Sequence, residues 1–207
     1  GGFKHYVFNN IAWGLSSDPS SPLVNCAAFQ EIIGFQIVFL NNTVWNYTVG
    51  SRRQAPEAGR NQYVGNVWQG ISERVFRHAE PAKTRPQGNE ADAAAAAGGG
   101  IAHELNVYAA NVFHDVAELG VVEASGRWLT TLEEFRAVLR AAHARVPEVG
   151  QMDPVPPLRD PARGDFRLNR GSAAVDGGAL AFVPWSLYGV VGEWHFFPAG
   201  DDPTLIP

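Results

Sequence analysis

Tyr6-Val7-Phe8-Asn9-Asn10-Ile11-Ala12-Trp13 can be laid over Val38-Phe39-Leu40-Asn41-Asn42-Thr43-Val44-Trp45. Gln62-Tyr63-Val64-Gly65-Asn66-Val67-Trp68 continues the pattern, and Val107-Tyr108-Ala109-Ala110-Asn111-Val112-Phe113 repeats it. Asn10, Asn42, Asn66 and Asn111 are separated by 32, 24 and 45 residues. Periods of about 20–50 residues mark stacked repeats, and uneven spacing means insertions between equivalent strands. In each unit a short apolar run meets an asparagine, then more apolar residues follow. Parallel strands read this way because both of their faces can be apolar. The asparagine suits the turn, since it tolerates left-handed backbone and bonds to neighbouring backbone groups. Stacked at one level in successive coils, such side chains can form an amide ladder. Trp13, Trp45, Trp68 and Phe113 are then expected to stack beside it. The pattern predicts an all-β solenoid of stacked coils.

Bulk properties agree with an ordered chain. Of the 207 residues 45% are hydrophobic and 18% charged, the reverse of a disordered composition. A net charge of −5 argues against a nucleic-acid partner, which would need an excess of clustered Lys and Arg. No run approaches the ~18 consecutive apolar residues that span a bilayer, so no membrane partner is expected. The single cysteine, Cys26, sits among Leu23, Val24, Ala27 and Ala28 and reads as a buried thiol. The chain begins Gly-Gly-Phe-Lys without a Met and ends at Ile206-Pro207 without a polar cap. Solenoids need caps, so the missing N-terminal coils of a longer parent chain are an expected partner.

The coils are interrupted. Residues 50–60 and 81–100 read as loop insertions, the second containing Ala93–Ala97 and Gly98-Gly99-Gly100. One helix is predicted near 131–146. Thr131 and Glu134 form a capping box, Leu132, Phe135, Val138 and Leu139 line one face, and Pro147 stops it. It should flank the coils, which occupy 1–178. Residues 179–207 form an aromatic segment expected to pack on the solenoid or on a neighbouring module.

The stretch Asp165-Phe166-Arg167-Leu168-Asn169-Arg170-Gly171-Ser172-Ala173-Ala174-Val175-Asp176-Gly177-Gly178 resembles a "D-F-R-L-x-P-G-S-P-A-I-D-x-G" sequence found near the end of bacterial right-handed parallel β-helix proteins. Arg170 and Ala173 stand where that pattern has proline, which would make the turn less rigid. Pro156 to Gly164 is similar to the "P-L-F-x-D-P-x-x-G-D-F" lead-in of the same proteins. The resemblance is specific over 106–178 and weaker over 3–70. It implies a right-handed parallel β-helix in which this stretch forms a late coil and the turn after it. It also implies a secreted protein, extracellular or periplasmic, whose partner is a polysaccharide. Fold alone does not fix activity. The resemblance points to a carbohydrate-active protein, with polysaccharide lyase the leading chemistry and an acidic glycan the substrate. The alternative is a non-catalytic structural or adhesive solenoid fragment that binds a glycan or a partner chain.

A lyase neutralises a uronate carboxylate with a cation and removes a proton with a base. Basic residues gather in Arg52, Arg53 and Arg60, and again in Arg74, Arg77, His78 and Lys83, while Lys4 and His5 open the first coil. Arg52, Arg53, Arg60, Arg77, His78, Lys4 and His5 are the candidate substrate-binding residues. No catalytic residue is assigned. The competing reading makes these solvated loop charges paired with Glu57, Glu73 and Glu80. A glycosidase would need two carboxylates across the sugar, and the pairs Glu133-Glu134 and Asp201-Asp202 fall in a helix cap and a terminal loop. The six histidines form no metal-ligand spacing, so no metal site and no cofactor are assigned, although calcium held by loop oxygens leaves little sequence trace. Trp13, Trp45, Trp68, Trp128, Trp185 and Trp194 offer rings either to sugars or to the core.

Overall fold

The computed structural model describes residues 2–14, 27–32, 34–54, 60–78, 101, 106–122, 126–142 and 148–178. Cys26, Lys83, the insertion expected over 81–100 and the aromatic segment 179–207 lie outside the described residues.

The chain makes the same pass several times. The first contains β1 (Gly2–Phe3), β2 (Tyr6–Phe8), β3 (Ile11–Trp13) and β4 (Ala27–Glu31). The second contains β5 (Gly34–Phe35), β6 (Val38–Leu40) and a long β7 (Thr43–Arg53). The third has β8 (Gln62–Val64) and β9 (Val67–His78), and the fourth has β10 (Val107–Ala109), β11 (Asn111–Val116) and β12 (Gly120–Val122). After these come β13 (Arg127–Leu129), α1 (Leu132–Ala142), β14 (Gly150–Met152), β15 (Leu158–Asp160) and β16 (Asp165–Leu168).

Successive passes pair in parallel. One sheet has the order β10-β8-β6-β2, and the larger one joins β3, β4, β7, β9, β11, β12, β13 and β14. Tyr6 faces Val38, Val38 faces Gln62, and Gln62 faces Val107. Ile11 faces Thr43, Thr43 faces Val67, and Val67 faces Val112. The described residues are therefore mostly β, built from parallel sheets with one α-helix among them. The expected all-β class is met, and stacked parallel rungs in consistent register are compatible with the expected solenoid.

Between the two sheets sit the asparagines, at equivalent levels of successive rungs. The N–H and Nδ2 of Asn10 donate to Oδ1 of Asn42 (3.1 and 3.0 Å), and those of Asn42 donate to Oδ1 of Asn66 (3.0 Å each). The same groups of Asn66 donate to Oδ1 of Asn111 (3.2 Å each). The second Nδ2 proton goes to a carbonyl of the rung above, from Asn42 to Val7 and from Asn66 to Phe39. Asn42, Asn66 and Asn111 are fully buried, so each amide is satisfied by the ladder rather than by water. The ladder ends at Gly150, which faces Asn111. Asn111 Nδ2 donates there to Val149 O (3.2 Å). A Cβ on Gly150 would collide with the Asn111 backbone.

The left-handed residue of each turn is the one before the ladder asparagine: Asn9 (φ 54°), Asn41 (51°), Gly65 (65°) and Ala110 (53°). The sequence placed both roles on one asparagine, whereas the structure divides them between neighbours. Two further left-handed columns recur in step, Lys4, Gln36 and Arg60 before the first sheet and Gly14, Asn46, Gly70 and Asp115 within the second. Each rung thus turns at fixed corners.

Alternation of side chains puts Phe39, Tyr63 and Tyr108 on the inner face of the first sheet. The Phe39 and Tyr63 rings stack at 4.9 Å and 4°, and Tyr63 and Tyr108 at 5.3 Å and 8°. They meet Phe29, Phe76, Trp68 and Phe113 from the other sheet in one core. The predicted column of Trp13, Trp45, Trp68 and Phe113 is split. Trp13 and Trp45 pair with each other and continue to Gln69, while Trp68 pairs with Val44 and Phe113 with Trp68. The third unit has one residue fewer between asparagine and tryptophan, and a one-residue offset moves a side chain to the other face.

Two further expectations need correcting. The interruption expected over 50–60 does not start at Gly50, because β7 continues to Arg53 with β4 on one side and β9 on the other. Gly50 belongs in that strand because a Cβ would press on the Trp68 ring and the Val75 carbonyl. The late stretch 158–168 does not add a parallel rung. β15 and β16 pair antiparallel around a 3-10 turn at Pro161–Arg163. This hairpin crosses the outer face of the second sheet, where Phe166 sits 5.4 Å from Trp13 and 6.3 Å from Trp45. The turn after it is held without prolines, as the Asp153 carboxylate accepts from Ser172 Oγ and Ala173 N (2.7 Å each). α1 carries its capping box: Glu134 N donates to Thr131 Oγ1 (3.2 Å), and Thr131 N donates to Glu134 Oε2 (3.1 Å). Its Phe135 closes on Phe76 and Tyr108.

Replacing Asn66 by Ala strands the N–H and amide of Asn42 together with the Phe39 carbonyl. Urea unfolding should show a loss of about 3 kcal/mol with unchanged slope, against about 1 kcal/mol or less for Asn10→Ala at the exposed end of the ladder.

Candidate functional site

β4, β7 and β9 end side by side, and their ends collect the charged residues. Glu31 faces Arg53, and Arg53 faces His78. One position earlier, Gln30 faces Arg52 and Arg52 faces Arg77. Neighbouring residues of a strand point to opposite faces, so this stretch builds two columns of different character.

The inner column is buried: Glu31 is 5% exposed, Arg53 1% and His78 0%. These polar groups meet partners from the first sheet. Tyr63 OH donates to Glu31 Oε1, and Asn61 Nδ2 donates to Glu31 Oε2 at 2.5 Å. Arg53 Nη1 reaches Asn106 Oδ1 at 3.4 Å. Asn106 Oδ1 also accepts from Asn61 N (3.1 Å), and Asn61 Oδ1 accepts from Ile37 N (2.9 Å). Asn61 and Asn106 thus begin a second, shorter amide ladder at the opposite end of the first sheet's strands.

His78 joins a directed chain. Ser51 Oγ donates to Tyr63 OH at 3.5 Å and lies 3.2 Å from His78 Nε2, while Tyr108 OH lies 2.8 Å from His78 Nδ1. With the Ser51 proton turned to Tyr63, Ser51 can only accept from Nε2. The ring is then the Nε2–H tautomer, and Nδ1 accepts from Tyr108. The donors run Tyr108, His78, Ser51, Tyr63 and end on the Glu31 carboxylate.

Burial governs the protonation of this chain. It holds the His78 ring neutral, well below its usual range, and the nearby Arg53 charge adds to the effect. Burial raises the Glu31 carboxyl against the opposing pull of the Tyr63 hydrogen bond and Arg53. Tyr63 is pushed well above the ordinary phenol range by burial and then by the Glu31 charge. All four hydroxyl and imidazole groups are committed to one another inside the core, which suits the cluster to fixing sheet against sheet.

The outer column is different. Arg52 and Arg77 are half-buried neighbours on the outer face, with exposed Gln30 beside Arg52. Of the predicted residues, the structure therefore brings Arg52 and Arg77 together and turns Arg53 and His78 inward. Solvated loop charges describe none of these four, since all lie on strands. Lys4 and Arg60 are exposed at equivalent corners two rungs apart, with Gln36 between them, and His5 is exposed beside Lys4. Arg74 is engaged elsewhere, with Glu73 at 2.5 Å and the Trp128 ring at 4.2 Å. Trp68 is core, the Trp13 and Trp45 rings are met by Phe166, and Trp185 and Trp194 lie outside the described residues. Among the described residues no group of three His, Cys, Asp or Glu side chains could hold a metal ion, and no helix is long and apolar enough to cross a membrane.

Sequence reasoning missed Glu31, Ser51, Asn61, Tyr63, Asn106 and Tyr108 as one cluster. Part of it was visible. Asn61 and Asn106 stand at one offset before Asn66 and Asn111, and Tyr63 and Tyr108 at another. Glu31 and Ser51 carry no such mark. Set against known protein families, curated proteins and solved structures, the chain matches none.

His78 and Glu31, both in the buried hydrogen-bond chain, respond to pH in opposite senses. Below an ordinary histidine value of 6.5 the unfolded chain takes up a proton that folded His78 refuses, so stability falls on acidification. Folded Glu31 keeps a proton that the unfolded chain releases above 4.5, so its contribution falls as pH rises. Melting curves across this interval should flatten on the acid side in His78→Gln and steepen in Glu31→Gln.

Proposed function

We propose that this chain is a section of a secreted right-handed parallel β-helix that holds an acidic polysaccharide against the outer face of its long strands. The observation that carries the reading is the register of Arg52 with Arg77. Two guanidinium groups side by side on one face make a cationic strip across which an anion can lie. Guanidinium groups accept a planar carboxylate through paired N–H bonds. Neighbouring strands lie about 4.8 Å apart, so a uronate chain running across the strands meets Arg52 on one rung and Arg77 on the next. Gln30 extends the column by a further strand with amide donors.

Holding fits better than cutting. A lyase needs a base beside the cation, and the residues next in sequence, Arg53 and His78, turn to the opposite face, where His78 is bonded to Tyr108 and Ser51. The wide spread of rungs suits an extended partner, and stability drawn from backbone and amide ladders rather than disulfides is compatible with an extracellular or periplasmic setting.

Binding to polygalacturonate, measured with calcium supplied, should be saturable, should weaken with added salt, and should drop about tenfold or more in the Arg52→Ala, Arg77→Ala double variant. Ultraviolet absorbance from unsaturated products should stay flat. Unchanged affinity in a folded double variant removes the reading, and accumulating unsaturated product returns the lyase assignment.

A further inference from the structure

We infer that the β1–β2–β3 edge is a docking surface for one more rung of the same kind, a strand–asparagine–strand segment laid on it in parallel from another polypeptide segment. The inference does not depend on the glycan reading. It comes from the direction of the asparagine ladder. Asn10, Asn42 and Asn66 each donate their N–H and Nδ2 to Oδ1 of the rung below, so the Oδ1 of Asn42, Asn66 and Asn111 is aimed at the rung above. The ladder is closed at one end, where Gly150 brings no side chain and Asn111 turns to the Val149 carbonyl. At the other end the Oδ1 of exposed Asn10 occupies the position that receives two donors in Asn42, Asn66 and Asn111.

Asn10 also shows what the docked rung would bring. In Asn42, Asn66 and Asn111 an Nδ2 proton reaches a carbonyl of the preceding rung, on Val7, Phe39 and Tyr63 in turn. Asn10 instead turns back to Phe8 O of its own rung, at 3.0 Å. A parallel rung above would offer a carbonyl to Asn10 Nδ2 and a pair of donors to its Oδ1. The apolar side chains of this edge match such an occupant, for Tyr6 is 41% exposed, Ile11 47% and Trp13 57%. The surface continues an interface the protein already forms three times, between β2 and β6, β6 and β8, and β8 and β10.

Ladder direction also selects against a second copy of this chain. Two such edges meeting across a two-fold axis would run their strands antiparallel and set one Asn10 Oδ1 against the other, acceptor facing acceptor. The fitting partner is one whose asparagine donates.

The test uses the 207-residue chain and a labelled peptide with the sequence of residues 34–45, the rung that already packs beneath β1–β2–β3. The peptide should bind saturably, and hydrogen exchange should slow at amides within Tyr6–Trp13. Asn42→Ala in the peptide, or Asn10→Ala in a chain whose circular dichroism is unchanged, should each weaken binding by about tenfold. Absence of binding, or equal binding by the two peptides, overturns the proposal. So does slowed exchange within Val38–Trp45 in place of the edge, which would mean strand exchange, or a concentration-dependent dimer that survives Asn10→Ala, which would give the edge to a second copy.

Discussion

A buried amide in the middle of a sheet corner has two donors and an acceptor to satisfy, and it has no water to satisfy them with. Among the described residues the same amide one rung away meets this demand, with a backbone carbonyl of the rung above taking the second proton. Asn42, Asn66 and Asn111 meet that requirement together, and in doing so they fix how each pass of the chain sits on the last. A slip of one residue would leave these groups unpaired and would also exchange the two faces of every strand. The aromatic core follows from this registration. Phe39, Tyr63 and Tyr108 stack nearly flat because their backbones are already aligned, and Trp68 and Phe113 fill the opposing face because the same alignment sends them inward.

The interior is not uniformly apolar. Glu31, Arg53 and His78 lie in a line across three strands, between aromatic rings, with asparagines and tyrosine hydroxyls from the facing sheet around them. Charges in such a place are costly unless paired and hydrogen-bonded, and here one run of donors ends on the Glu31 carboxylate, with Arg53 beside it. A purely greasy core would let the two sheets slide over each other at little cost. A directed polar chain permits one arrangement, so the cluster trades burial energy for definition. Its consequence on the surface is that the same strands, at the alternate positions, carry Arg52 and Arg77 in a fixed spacing.

What could be read from the sequence, and what could not, divides along physical lines. The ladder asparagines were legible because their demand is local and recurs, and the helix was legible because Thr131 and Glu134 cap it within one turn. The tryptophans were misassigned because Trp68 differs from Trp45 by one position, a shift invisible in a list of similar letters but decisive for which face a ring takes. Gly50 to Arg53 looked like a loop because its composition is polar. It is strand because Glu31, Asn61 and Asn106, distant in sequence, answer those polar groups. Among the seven basic candidates, neighbours in the chain are separated by alternation. Arg52 faces out where Arg53 faces in.

The left-handed corners have an implication for how such a chain can change. Lys4, Gln36 and Arg60 hold one corner, Asn9, Asn41, Gly65 and Ala110 a second, and Gly14, Asn46, Gly70 and Asp115 a third, although the rungs differ widely in length. Extra chain is accommodated between corners, never at them. Loop closure grows only slowly costlier with length, by about 0.6 kcal/mol for each doubling. A lineage carrying this frame could therefore splice long segments into one rung, or trim them, while leaving its neighbours untouched, so that novelty accumulates at the margins of an architecture whose joints stay put.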